Sequence, residues 1–223
     1  MATAMTTYRD RTVGDIAAHL AGATAIFRRH KIDFCCGGDI PLAEAAARRG
    51  VDVADLEAAL GALDAAPMEA PEDTPALVDH ILTRFHETHR RELPELVKLA
   101  RRVEAVHREH PQAPHGLGDL LERAAAELDD HMTKEEQVLF PAMQAGFRGS
   151  LDMPIRVMRH EHDEHAQIVR ALEEITDGFA APADACRSWQ ALYAGAEKFV
   201  TDLTEHIHLE NNVLFPRFER RWS

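Results

Sequence analysis

The chain carries one pattern twice: HMTKEEQVLFP at 131–141 and HIHLENNVLFP at 206–216, both reading H-x-x-x-E-x-x-V-L-F-P. Nothing else in the sequence constrains the fold so tightly. Residues four apart share one face of an α-helix, so His131 projects beside Glu135 and His206 beside Glu210. Those positions also continue apolar stripes: Leu128, His131, Glu135 and Leu139 in one copy, and Leu203, His206, Glu210 and Leu214 in the other. The two copies stand 75 residues apart, and a weaker echo has nearly the same offset, His86 and His89 in FHETH matching His162 and His165 in EHDEH 76 residues later. The chain therefore reads as two helix hairpins of one design.

Punctuation by proline and glycine sets the organisation. Four long helical segments are expected at about 75–110, 116–146, 152–178 and 183–219, joined by short connections. No stretch shows sustained β-branched alternation, so the fold class is all-α, with an up-down-up-down four-helix bundle over 76–223. Pro94 falls inside the first segment and is expected to kink it or make it irregular. Residues 65–75, with Pro67, Pro71 and Pro75, read as a linker. Residues 1–64 read as a small three-helix module. Asp10 or Thr12 caps a helix running to about His30, DFCCGGD forms a glycine-paired loop, Pro41 opens a short helix stopped by Gly50, and Asp52 caps another through Leu63.

Composition excludes several functions. With 25 Lys+Arg against 38 Asp+Glu the formal net charge is −13, which gives no footing on a phosphate backbone, so nucleic acid is not an expected partner. No run of about 18 apolar residues suggests a membrane span, and the N-terminus lacks the apolar stretch of a secretory signal, so the protein is expected in the cytoplasm. Three cysteines are too few for a disulfide scaffold, whereas 14 histidines are an excess.

Histidines and glutamates on apolar stripes need a partner, because burying imidazole and carboxylate is unfavourable by several kcal/mol unless they are paired or ligated. No Lys or Arg shares the stripes, so a metal centre is the expected resolution. Four histidines (His86, His131, His162, His206) and two glutamates (Glu135, Glu210) converge. If both glutamates bridge two ions, each ion receives two imidazoles and two carboxylate oxygens, and an oxo or hydroxo bridge leaves one position open on each. Nitrogen and oxygen ligands without thiolate suit iron, so two iron ions are expected. The spacing differs from the Glu-x-x-His of ferritin-like bundles. His89 and His165 either compete as ligands or support them, and Glu161 is a supporting carboxylate or a surface group. His160, His208, His110 and His115 are expected to be exposed, and His107 is ambiguous. The VLFP tails read as packing residues with a helix kink.

Cys35 and Cys36 form a separate feature. Adjacent cysteines do not readily chelate one ion together, and a disulfide between them would be strained. A nearby helix N-terminus would favour the thiolate, which makes the pair a candidate thiol relay beside the alternative of mere packing. Cys186 is isolated and reads as structural.

Taken together, DFCCGGDIPLAEAAARRG and the two H-x-x-x-E-x-x-V-L-F-P copies resemble the di-iron iron–sulfur cluster repair family (repair of iron centres), in which a Cys-Cys-Gly-Gly module precedes a hemerythrin-like bundle. RFHETHRRELPEL and MRHEHDEH also look like family segments, so the resemblance covers nearly the whole chain. It implies a bacterial protein that restores iron–sulfur clusters damaged by oxidative or nitrosative stress, with iron ligands at His86, His131, Glu135, His162, His206 and Glu210. Donation of iron to damaged or apo iron–sulfur proteins is the leading expectation. Two alternatives use the open positions: reduction of nitric oxide to nitrous oxide, and a hemerythrin-like dioxygen or nitric oxide sensor. A homodimer is left open.

Overall fold

The computed structural model describes residues 8–63, 71–146 and 150–219, and among them every regular element is helical; the one bridge-type pairing joins Thr12 to Pro41. Most of the expected linker, 65–70, lies outside the described residues. The chain divides into two compact units. One is Asp73–Thr204; the other combines the described residues through Glu72 with those from Glu205 onward.

The first of the four N-terminal helices, α1 (Val13–His19), starts where Thr12 accepts a hydrogen bond from the Asp15 N–H at 3.2 Å. The single helix expected up to His30 is broken. Gly22 sits at φ 87° and separates α1 from α2 (Ala23–Arg29), a left-handed conformation that glycine adopts without strain. The helix α3 (Leu42–Arg49) ends on Gly50, and α4 (Val53–Gly61) starts on Asp52, whose carboxylate accepts from the Ala54 N–H at 2.8 Å. Between α2 and α3 lies the cysteine loop, whose Gly38 carbonyl accepts from the Gly14 N–H at 2.7 Å. A Cβ on Gly38 would stand 2.6 Å from the Phe34 carbonyl oxygen, so only glycine lets the two backbones approach this closely.

The other unit is built on long helices. The first, α5 (Thr74–Ile81), passes through a wide π-helical turn, Leu82–His86, into α6 (Glu87–Val106). The second, α7 (Leu117–Lys134), passes through a like turn, Glu135–Leu139, into α8 (Phe140–Gln144). After α9 (Asp152–Ile175) comes α10 (Arg187–His208), which leaves this unit after Thr204; a third wide turn, Leu209–Leu214, and a short 3₁₀ turn, Phe215–Arg217, belong to the unit of α1–α4. The helix α6 runs on across Pro94, so the irregularity expected there comes upstream, at Leu82–His86. One missing N–H does not end a helix that buries Leu93, Leu96, Ala100 and Val103. The kink expected at the VLFP tails takes the form of the wide turns. Phe140 donates its N–H to the Glu135 carbonyl and Phe215 to that of Glu210, five residues back, just before Pro141 and Pro216. Such turns favour functional positions in helices.

Charged side chains tie neighbouring helices in this unit together. Arg90 reaches Asp129 at 2.7 Å and also Glu136; Lys134 reaches Glu161 at 2.6 Å. Asp202 of α10, buried, accepts from Arg84 at 2.7 Å and Lys198 at 2.8 Å.

Candidate metal centre

In the helical unit Asp73–Thr204, four of the expected residues meet from three chain segments. His86 ends the first wide turn, His131 stands in the last turn of α7, Glu135 opens the second wide turn, and His162 lies in α9. All are at most 1% exposed. Glu135 Oε2 is 3.5 Å from Nε2 of His86 and 3.5 Å from Nε2 of His131, so one carboxylate oxygen faces two imidazoles equally. His162 Nε2 approaches His131 Nε2 at 3.1 Å.

The outer ring nitrogens are held by carboxylates. His131 Nδ1 lies 2.8 Å from Glu161 Oε2, and His86 Nδ1 lies 2.8 Å from Glu136 Oε1. Hydrogen bonding from His131, opposed by burial and aided by Lys134, holds the Glu161 carboxyl down to about 2. Glu161 is therefore an anion that only accepts, and the proton must sit on His131 Nδ1. That leaves Nε2 of His131 with its lone pair directed at His162 and Glu135. A carboxylate behind an imidazole is the arrangement that fixes the tautomer of a metal-ligating histidine. Two imidazole nitrogens 3.1 Å apart either share an N–H hydrogen, donated by His162, or hold a metal cation between them. The donor set is nitrogen and oxygen without sulfur and suits iron.

His206 and Glu210 belong to the other unit, where they are buried and paired, Nε2 to Oε1 at 2.9 Å. By repeat register they are the counterparts of His131 and Glu135. Buried His89 packs between Phe85 and Phe199, with ring centroids 6.4 and 5.6 Å away, and buried His165 meets the His131 ring edge-on at 5.0 Å. His160 and His115 are exposed as expected.

Two histidines expected at the surface are not there. His208 is 1% exposed, edge-on to Phe34 at 5.6 Å and hydrogen-bonded to the Asn212 amide at 2.9 Å; burial pushes it down to about 4, so it is neutral near pH 7. His110 is half-buried because Trp189 packs against it and Asp184 meets its Nε2 at 3.2 Å. His107, left ambiguous, is half-buried with Nε2 3.1 Å from Cys186 Sγ, and Cys186 itself is exposed.

The cysteine loop is a tight turn around Asp33, whose Oδ1 accepts from the N–H groups of Cys36 at 3.0 Å and Gly37 at 3.1 Å. Asn211 donates to the Cys35 carbonyl at 2.9 Å and Asn212 to that of Phe34 at 3.0 Å. No cysteine is in a disulfide. The Cys35 thiol is raised well above its ordinary range by its hydrogen bond with Cys36 and by burial, so Cys35 rests as the thiol and not as the thiolate expected from a helix N-terminus.

Sequence reading passed over Glu136, Asn211 and Asn212. A signal existed in the differences between the motif copies. Where the first copy has Thr133, Glu136 and Gln137, the second has His208, Asn211 and Asn212. Glu136 backs a histidine; the amides of the second copy grip the cysteine loop.

Two family descriptions match the chain: the hemerythrin HHE cation binding domain over residues 77–218, and ScdA_N, a domain of unknown function, over residues 9–64. The chain is 47% identical to the iron-sulfur cluster repair protein YtfE of Musicola paradisiaca, across 94% of this chain and 96% of that one. It is 44% identical to the protein of the same name from Pectobacterium atrosepticum and to the probable iron-sulfur cluster repair protein of Haemophilus influenzae, in each case across 94% of this chain and 97% of the relative.

Proposed function

The chain belongs to the YtfE family of iron-sulfur cluster repair proteins, and from that premise we propose that it restores damaged iron–sulfur clusters by donating iron. In this reading His86, His131, Glu135, His162, His206 and Glu210 would supply the ligands of two iron ions, and the recipients are damaged or apo iron–sulfur proteins. The observation that carries the proposal is the placement of Glu135 Oε2, 3.5 Å from an imidazole nitrogen on either side, with each imidazole backed by its own carboxylate. The matching register of His206 and Glu210 supplies a second such carboxylate.

Iron is here the cargo, and the protein's residues have to hold it and let it go. Glu161 and Glu136 keep a proton on Nδ1 of His131 and His86 and so keep Nε2 available. Burial of the glutamates excludes water that would compete for the ions. Imidazoles and carboxylates hold a metal only while deprotonated, and without a thiolate among them the grip loosens with protonation. Among the described residues no helix is long and apolar enough to cross a membrane.

Anaerobic purification with metal analysis, followed by incubation with an inactivated iron–sulfur enzyme, tests the proposal. Two irons per chain and recovered client activity are expected, with both lost in Glu135→Leu. Full iron content and full repair in that variant would overturn the assignment. Turnover of nitric oxide to nitrous oxide with no client, or reversible gas binding with no loss of iron, would replace donation by one of the alternative activities.

A further inference from the structure

The cysteine loop holds a second set of ligand atoms that the proposed iron chemistry does not use. Adjacent cysteines in extended backbone point to opposite sides, which is why chelation by such a pair is unexpected. Here the turn closed by Asp33 Oδ1 on the N–H groups of Cys36 and Gly37 brings both sulfurs to one side. Cys35 Sγ lies 3.8 Å from Cys36 Sγ and 3.5 Å from Asp33 Oδ1, and ligand atoms of all three residues lie within 4.8 Å of one another.

These separations match the edges of a tetrahedron. With metal–sulfur bonds of about 2.3 Å and metal–oxygen bonds of about 2.0 Å, a tetrahedral ion spans about 3.8 Å between two sulfurs and about 3.5 Å between sulfur and oxygen. We propose that Asp33, Cys35 and Cys36 form a separate metal site, two thiolates and a carboxylate, for a divalent cation of the zinc or ferrous iron type. The carboxylate and the bent sulfur pair select against monovalent copper, which prefers soft ligands alone. Binding releases the two thiol protons to solvent, because the ligands are thiolates. No electron transfer is involved.

The loop is built to hold this arrangement before any ion arrives. Asn211 and Asn212 fix the carbonyls of Cys35 and Phe34, and Gly14 fixes that of Gly38. Cys35 is buried, while Cys36 and Asp33 are half-buried and give an ion its way in. Three protein ligands leave the fourth tetrahedral position to water or to an incoming ligand, so the site binds exchangeably instead of as a closed structural zinc. It stands whether or not the histidine–glutamate residues hold iron.

Cobalt titration of the reduced full-length protein under anaerobic conditions tests the site, since only thiolate ligation gives a sulfur-to-cobalt charge-transfer band in the near ultraviolet. The band is expected to saturate at one sulfur-ligated cobalt per chain, with the intense visible bands of tetrahedral cobalt. It should vanish in Cys35→Ser and in Cys36→Ser, persist in Cys186→Ser, and need roughly tenfold more cobalt in Asp33→Asn. It should also persist in Glu135→Leu, so failure of the bundle assignment and failure of this one are read separately. Circular dichroism of Cys36→Ser, at a half-buried position, shows that its loss of the band is not loss of the fold. Absence of a charge-transfer band in the wild type, or its survival in both Cys35→Ser and Cys36→Ser, would overturn the proposal.

Discussion

Glu161→Gln separates the role of a carboxylate behind the ring from that of the ring itself. Glutamine keeps the side-chain shape and one acceptor oxygen, so His131 can still be oriented through Nδ1, now 2.8 Å from a carboxylate oxygen. Lys134 loses its 2.6 Å partner but retains Asp130 at 2.6 Å, so no lysine is stranded and the change isolates the negative charge. Losing such an outer partner typically weakens metal binding by about 10–100-fold, which is about 1.4–2.7 kcal/mol. Because His86 keeps Glu136, an ion held by His86 should keep its affinity while one held by His131 is loosened. Competition with a ferrous chelator should therefore become biphasic, one iron leaving early and the other at the wild-type concentration. With Glu161 held down to about 2, its negative charge stays behind His131 down to strongly acid pH. The variant should lose its looser iron at a higher pH than the wild type does. Release curves that superimpose on the wild type, at fixed pH and across pH, would refute the argument that the carboxylate tunes His131.

Other substitutions test the frame around the site. Gly38→Ala places a Cβ against the Phe34 carbonyl oxygen, which cannot swing aside, so denaturation should show a loss of about 1–3 kcal/mol and, with it, weaker cobalt binding at the cysteine loop. Phe140→Ala empties a fully buried position whose ring stacks on His86 at 5.7 Å; about 3–5 kcal/mol of stability should go, seen as a lower urea midpoint. For Asp202, burial pushes the pKa up, but hydrogen bonds from Arg84 and Lys198 outweigh it and the net shift is downward. Its contribution is thus present above the ordinary aspartate pKa and fades as pH falls through the folded value. Asp202→Asn should be weaker than wild type by about 1–2 kcal/mol at pH 7, discounted for the half-exposed cations, with the gap narrowing in urea titrations run on the acid side.

Much of the site was legible because polar residues on an apolar stripe are anomalous, and a repeated anomaly is hard to produce by chance. His131 and Glu135 stood out against Leu128 and Leu139 for that reason. Glu136 did not, and Glu161 stayed between a supporting carboxylate and a surface group, since a half-buried glutamate looks like any helix-surface acid until the packing of helices brings a histidine nitrogen to it. His208 was misread by the same logic run backwards: on its own helix it occupies a polar position, and its burial comes from Phe34, distant in sequence. The break at Gly22 was written in LAGATA, but the alanine-rich flanks gave a continuous helical period that hid it.

The wide turns give the chain an unequal tolerance of change. Along Glu135–Leu139 and Leu209–Leu214 the backbone bonds reach five residues back, and each step along a helix rotates a side chain by about 100°. Swapping one side chain there disturbs one neighbour. Adding or deleting one residue would swing everything downstream about a third of the way around its axis, taking Phe140 or Phe215 off the core. In these stretches length is inherited more strictly than lettering.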